Sequence, residues 1–345
     1  MALSEQLLPD IKKYVQNKDF CSALSVGREI EVDFLAQGEY NINYLLHTSG
    51  GKFVLRVNTG SQIKVDNQIA YEYKALELLK TSGVTPIPYY LDDSKEKIPY
   101  GLLVMEYLPG EPLDYSSDLN KAAATFARIH SLTFAKGQTD FLIQTFGPFS
   151  GIFAEAAGYL EKYFNFAHAD AEVARLLEKL LLHAEEKKKQ EDFLIPNNSP
   201  QAKRAVINTE VNSHNFIVNK NRQTCHLIDW EKPILGEPAQ DLSMFLIPTT
   251  TLWKRNYILS PQEEKEFIQA YEQQLMPGSQ DPHLKDKIEM FKFFNLLRAI
   301  SWCAMAWTEY VSPGRLVVNQ DTFEKIKLYI QTDFIKRCFA QVFAK

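Results

Sequence analysis

The chain has 345 residues, of which 45% are hydrophobic and 23% charged, and its formal net charge is -5. This length exceeds what one hydrophobic core usually reaches, so we expect two lobes or domains. The composition is typical of a folded globular protein, and the acidic balance argues against nucleic-acid binding, which needs a concentrated basic surface.

The cysteines and the apolar stretches indicate the cellular compartment of the protein. Cys21, Cys225, Cys303 and Cys338 are far apart and form no CxxC pair, which favours buried thiols in a reducing compartment. The N-terminal residues lack a signal-peptide pattern, and the longest apolar stretches fall short of the roughly 20 residues that a membrane helix needs. We predict a cytoplasmic protein, monomeric or homodimeric, without a membrane partner.

The first hundred residues are predicted to be strand-rich around one helix. Three short runs, EVDFLA, NYLLH and KFVLRV, are rich in β-branched and aromatic residues and are separated by turn signals, which predicts an antiparallel meander. Residues 65–82 carry apolar side chains at helical spacing and end at Gly83, which predicts the helix. Two more strands are expected near Tyr90 and Met105.

The chain becomes mostly helical from about residue 118, apart from three short strand-like runs, RAVIN, NFIVN and CHLID. Ser260, Pro261 and Glu263 form a capping-box pattern at the start of one helix. A long apolar helix is predicted over residues 284–310. The fold class is therefore α+β, with a small antiparallel-sheet lobe followed by a large, mostly helical lobe.

Two polar segments next to strand-like runs suggest a chemical role. In NTEVNSHNFIV, Glu210 precedes Asn215 by five positions, and Asp229 opens IDWEKPILGEPAQDL after the next strand. Phosphoryl transfer needs such a set, namely a carboxylate near the acceptor hydroxyl, an amide and a second carboxylate for Mg²⁺, and a cation on the phosphates. Asn and Asp oxygens suit Mg²⁺, which is a hard ion.

These segments resemble the catalytic and metal-binding segments of the aminoglycoside phosphotransferase and choline kinase family, small-molecule kinases with a bilobal, protein-kinase-like fold. The family's second segment reads IDWExxxxGxPxxDL, and residues 228–242 match all of its fixed positions. The first segment, HGDxHxxN, is matched in part, because Asn208-Thr209-Glu210 replaces His-Gly-Asp. The resemblance implies a nucleotide-binding lobe over residues 1–106 and a helical lobe over residues 107–345, with the catalytic loop at 205–231.

The resemblance also implies roles for individual residues. Glu210 takes the place of the catalytic aspartate, with Asn208 and Asp241 supporting the catalytic loop. Asn215 and Asp229 are the expected ligands of Mg²⁺.

The implied ATP site lies in the first lobe. Arg56 takes the place of the phosphate-binding lysine, and Glu72 is placed to hold its guanidinium. Gly38 belongs to a thin glycine-rich loop, QGEYNINY, in which Asn41 and Asn43 tolerate left-handed conformations. The adenine is expected at the backbone of the MEYL strand, in particular at Glu106, Tyr107 and Leu108.

The predicted function is ATP- and Mg²⁺-dependent transfer of a phosphoryl group to a hydroxyl of a small molecule, such as an aminoglycoside-, choline- or sugar-like acceptor. A cationic acceptor would favour carboxylates and aromatic rings on the helical lobe. Residues 245–310 contain both kinds, namely Glu263, Glu264, Glu289, Trp302 and Trp307, but such residues are too common in helices to identify an acceptor.

Three alternatives remain open at this stage. The first is a nucleotide-binding pseudokinase, because Glu210 is one methylene longer than aspartate. The second is a hydrolase that uses Glu210 with Asp229 or Glu231. The third is that Arg56 and Glu72 form an ordinary surface ion pair, which is worth at most about 1 kcal/mol.

Overall fold

The computed structural model describes residues 2–61, 63, 65–196, 204–312 and 319–343. Contacts within the chain define two compact units, each built from two stretches. The first unit contains residues 1–143 and 214–234, and the second contains residues 144–213 and 235–345. The lobes predicted with a boundary after residue 106 stay a prediction.

The first unit contains a five-stranded sheet with the strand order β1-β2-β3-β5-β4, in which all neighbours are antiparallel. Its strands are β1 (Glu31–Gln37), β2 (Asn41–Thr48), β3 (Gly51–Asn58), β4 (Pro88–Asp92) and β5 (Gly101–Glu106). Gly51 has a φ of 120° at the tight β2–β3 turn, a conformation that glycine adopts readily. The predicted antiparallel meander is confirmed.

The two faces of this sheet differ because successive side chains of a strand point to opposite sides. On β2, Ile42, Tyr44 and Leu46 belong to a buried hydrophobic cluster, whereas Asn41 and Asn43 alternate with them. The cluster continues into two helices, α1 (Leu3–Val15) and α2 (Lys18–Leu24). One face of the sheet is therefore covered by the N-terminal helices.

The prediction of one helix in the first hundred residues is wrong, because α1 and α2 precede the sheet. Both helices have sequence features that are typical of helices. Leu7, Ile11 and Val15 lie four residues apart and are buried on one side of α1. The Asn17 side chain accepts a hydrogen bond from the Asp19 N–H (3.0 Å) and caps α2.

The predicted helix over residues 65–82 is confirmed as α3 (Gln68–Leu79), followed by a 3₁₀ turn at Lys80–Ser82. It begins at Gln68 because the Asn67 side chain caps it by accepting from the Ala70 N–H (3.2 Å). Gly83 ends the turn with a φ of 68°, in the left-handed region that favours glycine.

A second sheet of the first unit has the strand order β10-β9-β6. It contains β6 (Glu111–Pro112), β9 (Phe216–Asn219) and β10 (Thr224–Leu227), and α4 (Tyr115–His130) packs on it. The strands predicted from NFIVN and CHLID are thus present as an antiparallel hairpin.

The second unit is mostly helical, and its central helix is α11 (Leu284–Val311), which packs against α5 (Pro148–Phe164) and α8 (Pro238–Leu246). The Phe149 ring lies 4.6 Å from that of Phe291, between centroids, so aromatic packing joins α5 to α11. The other helices are α6 (Ala171–Lys187), α7 (Glu191–Leu194), α9 (Pro248–Lys254), α10 (Pro261–Gln274), α12 (Gln320–Tyr329), α13 (Thr332–Cys338) and α14 (Ala340–Phe343).

A small sheet with the order β7-β11-β8 is formed by Ile143–Gln144, Ile234–Gly236 and Ala205–Ile207. The capping box predicted at Ser260 is confirmed, as is the long helix over residues 284–310. The predicted fold class, an N-terminal antiparallel sheet followed by a mostly helical part, is confirmed as well. Within the described ranges, no helix combines the length and the hydropathy that crossing a membrane requires.

Candidate active site

Arg56 is the centre of a buried polar cluster in the first unit. It lies on β3 opposite Asn43 of β2, and its Nε donates to the Asn43 side-chain oxygen (3.0 Å). Its Nη1 donates to Glu72 (2.5 Å) and to Asp229 (3.0 Å). One guanidinium thus binds three side chains from three segments of the chain.

Arg56 and Glu72 are only 6% and 1% exposed, so the alternative of a surface ion pair is wrong. Burial on its own would lower the pKa of Arg56, but the charges of Glu72 and Asp229 outweigh it and the pKa is raised. Burial also raises the pKa of Glu72, and Arg56 opposes that shift. The cluster therefore keeps a fixed positive charge next to Asp229.

Asp229 follows β10 and has a φ of 63°, a left-handed conformation that few residues other than glycine, asparagine and aspartate adopt. Its side chain is 28% exposed, unlike those of Arg56 and Glu72. The preceding residue, Ile228, donates its N–H to the Asn215 carbonyl (2.8 Å). The backbone thereby brings the segments of the two predicted metal ligands, Asn215 and Asp229, side by side.

Glu231 is a further acidic residue of this cluster, and a carboxylate oxygen of Glu231 lies within 4.8 Å of one of Asp229. The Asn41 side-chain amide donates to the Glu231 carboxylate, and Gln68 Nε2 donates to the Glu231 carbonyl (2.5 Å). These partners of Glu231 were not predicted. The only sequence signal was the alternation of Asn41 and Asn43 with apolar neighbours, which marks a polar sheet face.

The β1–β2 loop consists of residues 38–40. The Gly38 N–H donates to the Asn41 carbonyl (2.9 Å), and the Thr59 N–H donates to the Tyr40 carbonyl (2.8 Å). The prediction that Asn41 and Asn43 supply left-handed conformations to this loop is wrong, because both lie in β2. Their side chains instead bind Glu231 and Arg56.

The predicted adenine-binding residues lie at the end of β5. Glu106 is the last residue of that strand, and its N–H donates to the Ile87 carbonyl (2.8 Å). Tyr107 and Leu108 follow, and the Lys52 Nζ lies 5.7 Å from the Tyr107 ring centroid.

The second unit contains the other predicted cluster, around Asp241 in the first turn of α8. Its two carboxylate oxygens accept from the N–H groups of Asn208 (2.7 Å) and Thr209 (2.8 Å). The Asn208 side chain in turn accepts from the Glu210 N–H (3.0 Å). Asp241 and Asn208 therefore fix the backbone that carries Glu210.

The residues suggested for a cationic acceptor have structural contacts in the second unit. Glu263 caps α10 through Ser260, while Glu264 and Glu289 both bind Lys292 (2.6 and 3.2 Å). Trp302 packs against Trp253, and Trp307 packs against Tyr163 and Phe166. Helix capping and packing account for these side chains.

The fold is that of small-molecule kinases. Similar solved structures include a choline kinase from Cryptosporidium parvum, with a TM-score of 0.63 and 12% identity over 97% of this chain and 96% of that one. A spectinomycin phosphotransferase in complex with ADP and spectinomycin has a TM-score of 0.62 and 13% identity, over 91% of this chain and 93% of that one. An amicoumacin kinase in complex with AMP-PNP and Ca²⁺ has a TM-score of 0.61 and 13% identity, over 96% of this chain and 93% of that one.

A sequence profile of the Phosphotransferase enzyme family matches residues 31–282, more than half of the chain, and the chain belongs to this family. The resemblance to aminoglycoside phosphotransferases and choline kinases is thereby confirmed. No curated protein matches the sequence significantly.

Proposed function

We propose that the protein transfers the γ-phosphoryl group of ATP to a hydroxyl group of a small molecule, with Mg²⁺ as the metal. The observation that carries the proposal is the buried Arg56 guanidinium, bound to Glu72 and to a partly exposed Asp229 in a chain of the phosphotransferase family. A fixed cation beside a carboxylate is the arrangement that nucleotide phosphates and their metal ion need.

The oxygen donors of the first unit fit Mg²⁺. The Asp229 carboxylate and the Asn215 amide would hold the ion, since a hard cation prefers oxygen ligands. When bound, Mg²⁺ neutralises charge on the phosphates during transfer. Arg56 would bind the phosphates through its guanidinium, and the β1–β2 loop would cover them.

The base of ATP would bind at the end of β5, at the backbone of Glu106, Tyr107 and Leu108. Support for nucleotide use comes from the similar kinases that were crystallised with ADP and AMP-PNP. The location of Tyr107 and Leu108 directly after a sheet strand is consistent with this role.

Glu210 would orient the acceptor hydroxyl and take its proton. The acceptor oxygen forms a bond to the γ-phosphorus while the bond from that phosphorus to the β–γ bridging oxygen breaks, and ADP leaves. Asn208 and Asp241 hold the Glu210 backbone through hydrogen bonds of 2.7 to 3.0 Å, which supports a fixed geometry for the longer glutamate.

The first experiment is a screen of hydroxyl-bearing metabolites and aminoglycosides with MgATP, using mass spectrometry to detect the gain of one phosphoryl group. We expect turnover of at least one acceptor by the wild type and its loss in D229N. Because positioned acid-base groups contribute about 10²- to 10⁴-fold, E210Q should lower kcat by that factor. E178Q, which removes an exposed charge from α6 of the second unit, is the control.

Two outcomes would contradict the proposal. If the wild type binds MgATP but shows neither ATPase activity nor phosphorylation of any acceptor, and E210Q behaves in the same way, the result favours the pseudokinase. If acceptors are hydrolysed without ATP or Mg²⁺, the protein is a hydrolase.

A further inference from the structure

The hydrogen bond between Asn41 and Glu231 joins residues that are 190 positions apart in the chain. We propose that Glu231 is a positioning residue, which fixes the β1–β2 loop above the phosphates by holding Asn41. The inference rests on the proposed function, because it assigns the loop to ATP. The contact would keep the β1–β2 loop at a fixed position relative to the segment that contains Asp229.

The orientation of the Asn41 amide is determined by a second contact. Asn58 Nδ2 donates to the Asn41 side-chain oxygen (2.9 Å), so the Asn41 nitrogen has to donate, and Glu231 is its acceptor. Asn41 is 5% exposed and Glu231 is 9% exposed. A hydrogen bond to a carboxylate is stronger than one between neutral groups, and water does not weaken it when it is buried.

The backbone of Glu231 is fixed independently of its side chain. Gln68 Nε2 donates to the Glu231 carbonyl (2.5 Å), and the Ser61 hydroxyl donates to the Gln68 side-chain oxygen (2.6 Å). A change of the Glu231 side chain therefore removes the contact with Asn41 and keeps the segment anchored to α3.

Asn41 is the residue through which the loop is held. Its carbonyl accepts from the Gly38 N–H (2.9 Å), which closes the turn of residues 38–40. A displacement of Asn41 therefore displaces the whole turn. Because Asp229 is two residues before Glu231, the same contact ties the loop to the carboxylate proposed to hold Mg²⁺.

The test uses the exchange of donor and acceptor between the two positions. N41D keeps the acceptor for Asn58 but sets two carboxylates against each other, so the loop should detach. E231Q keeps an oxygen acceptor and loses the charge. In N41D/E231Q the glutamine amide at position 231 can donate to the aspartate at position 41, which restores the hydrogen bond with reversed polarity.

The first measurement is hydrogen–deuterium exchange of residues 38–41 in the protein without nucleotide, which requires no enzymatic activity. N41D should exchange about tenfold faster or more, E231Q about threefold faster, and the double variant should return to within about threefold of the wild type. E39Q, which removes an exposed charge from the loop itself, should leave the exchange unchanged.

The second measurement is the ATP dependence of the same variants. A role in positioning predicts that N41D raises KM for ATP about tenfold or more, with a smaller change in kcat, and that N41D/E231Q rescues it. A role of Glu231 as a metal ligand predicts the reverse, namely a large effect of E231Q, a small effect of N41D and no rescue, and this result overturns the inference.

The two readouts separate failure of this inference from failure of the proposed function. If the wild type binds no nucleotide, the proposed kinase function fails, while loop exchange still shows whether Glu231 holds Asn41. If N41D leaves loop exchange unchanged, the contact does not position the loop, whatever the enzyme does with ATP.

Discussion

Arg56 shows why a lysine would not be equivalent at this position. Its Nε binds Asn43 while its Nη1 binds Glu72 and Asp229, and the planar guanidinium holds these directions rigidly. An ammonium group is a point charge on a flexible stem and cannot offer the same fork. The fixed direction of the charge is what the proposed phosphate site would gain from arginine.

Lys287 offers a test of buried charge within the second unit. Its Nζ lies 2.9 Å from Glu237 and 2.8 Å from Asp281. Burial on its own would lower the pKa of Lys287, but Glu237 and Asp281 outweigh it and the pKa is raised. We predict that K287M lowers the free energy of unfolding by about 3 to 5 kcal/mol at neutral pH, because Glu237 loses its buried partner.

The pH dependence of this effect follows from the raised pKa. The contribution of Lys287 is complete below its unfolded-state pKa of about 10.4 and is lost as the pH rises through the higher folded-state value. Urea unfolding from pH 8 to 11.5 should therefore show that the free energy of unfolding of the wild type approaches that of K287M above about pH 10.4. K285M, on the exposed side of the same helix, is the control. If the difference in stability between the wild type and K287M stays constant to pH 11.5, Lys287 is not the source of the effect.

At the scale of elements, local patterns predicted the strands and the helices that carry strong signals. Short runs rich in β-branched and aromatic residues, separated by turn signals, predicted β2 and β3, and the Ser260 capping box predicted the start of α10. The helices α1 and α2 were missed although α1, with 13 residues, is longer than α3 and buries Leu7, Ile11 and Val15 on one side, because both helices directly precede a strand-rich region. Local periodicity does not reveal which face of a sheet a helix will cover.

The packing of α1 on the sheet is open to a direct test. Ile11 is fully buried in the cluster that includes Tyr44 and Leu55. We predict that I11A lowers the free energy of unfolding by about 2 to 5 kcal/mol, because it leaves a cavity in this cluster. Urea denaturation measures the change, and K12A, the exposed neighbour, should stay within about 0.5 kcal/mol of the wild type. Equal effects of the two substitutions would rule out this packing.

At the scale of the molecule, each compact unit is assembled from two separate stretches of the chain. The motif residues could be predicted because each motif is local in sequence. The sequence could not predict that Asn41 pairs with Glu231, or that β9 and β10 belong to the first unit. Both features depend on contacts between residues far apart in the chain. The cytoplasmic location and the oligomeric state stay predictions.

The discontinuous first unit limits how the chain can be divided. Phe126 packs against Phe216, with ring centroids 5.3 Å apart, and the Thr125 hydroxyl donates to the Cys225 carbonyl (3.0 Å). A fragment of residues 1–143 lacks Phe216 and Cys225, so we expect α4 to exchange its amide hydrogens much faster than in the full chain. A fragment of residues 1–234 keeps these partners and should retain protection. Equal protection in both fragments would show that the hairpin is dispensable.

Thr209 holds a strained backbone conformation directly before Glu210. Its φ of 70° is unusual for a β-branched residue and costs on the order of 1 to 3 kcal/mol, whereas the family pattern has glycine at this position. The Thr209 N–H donates to Asp241 (2.8 Å), and this hydrogen bond helps to hold the conformation. Loss of the Asp241 carboxylate would therefore let this peptide relax to an ordinary backbone conformation and would move Glu210 with it.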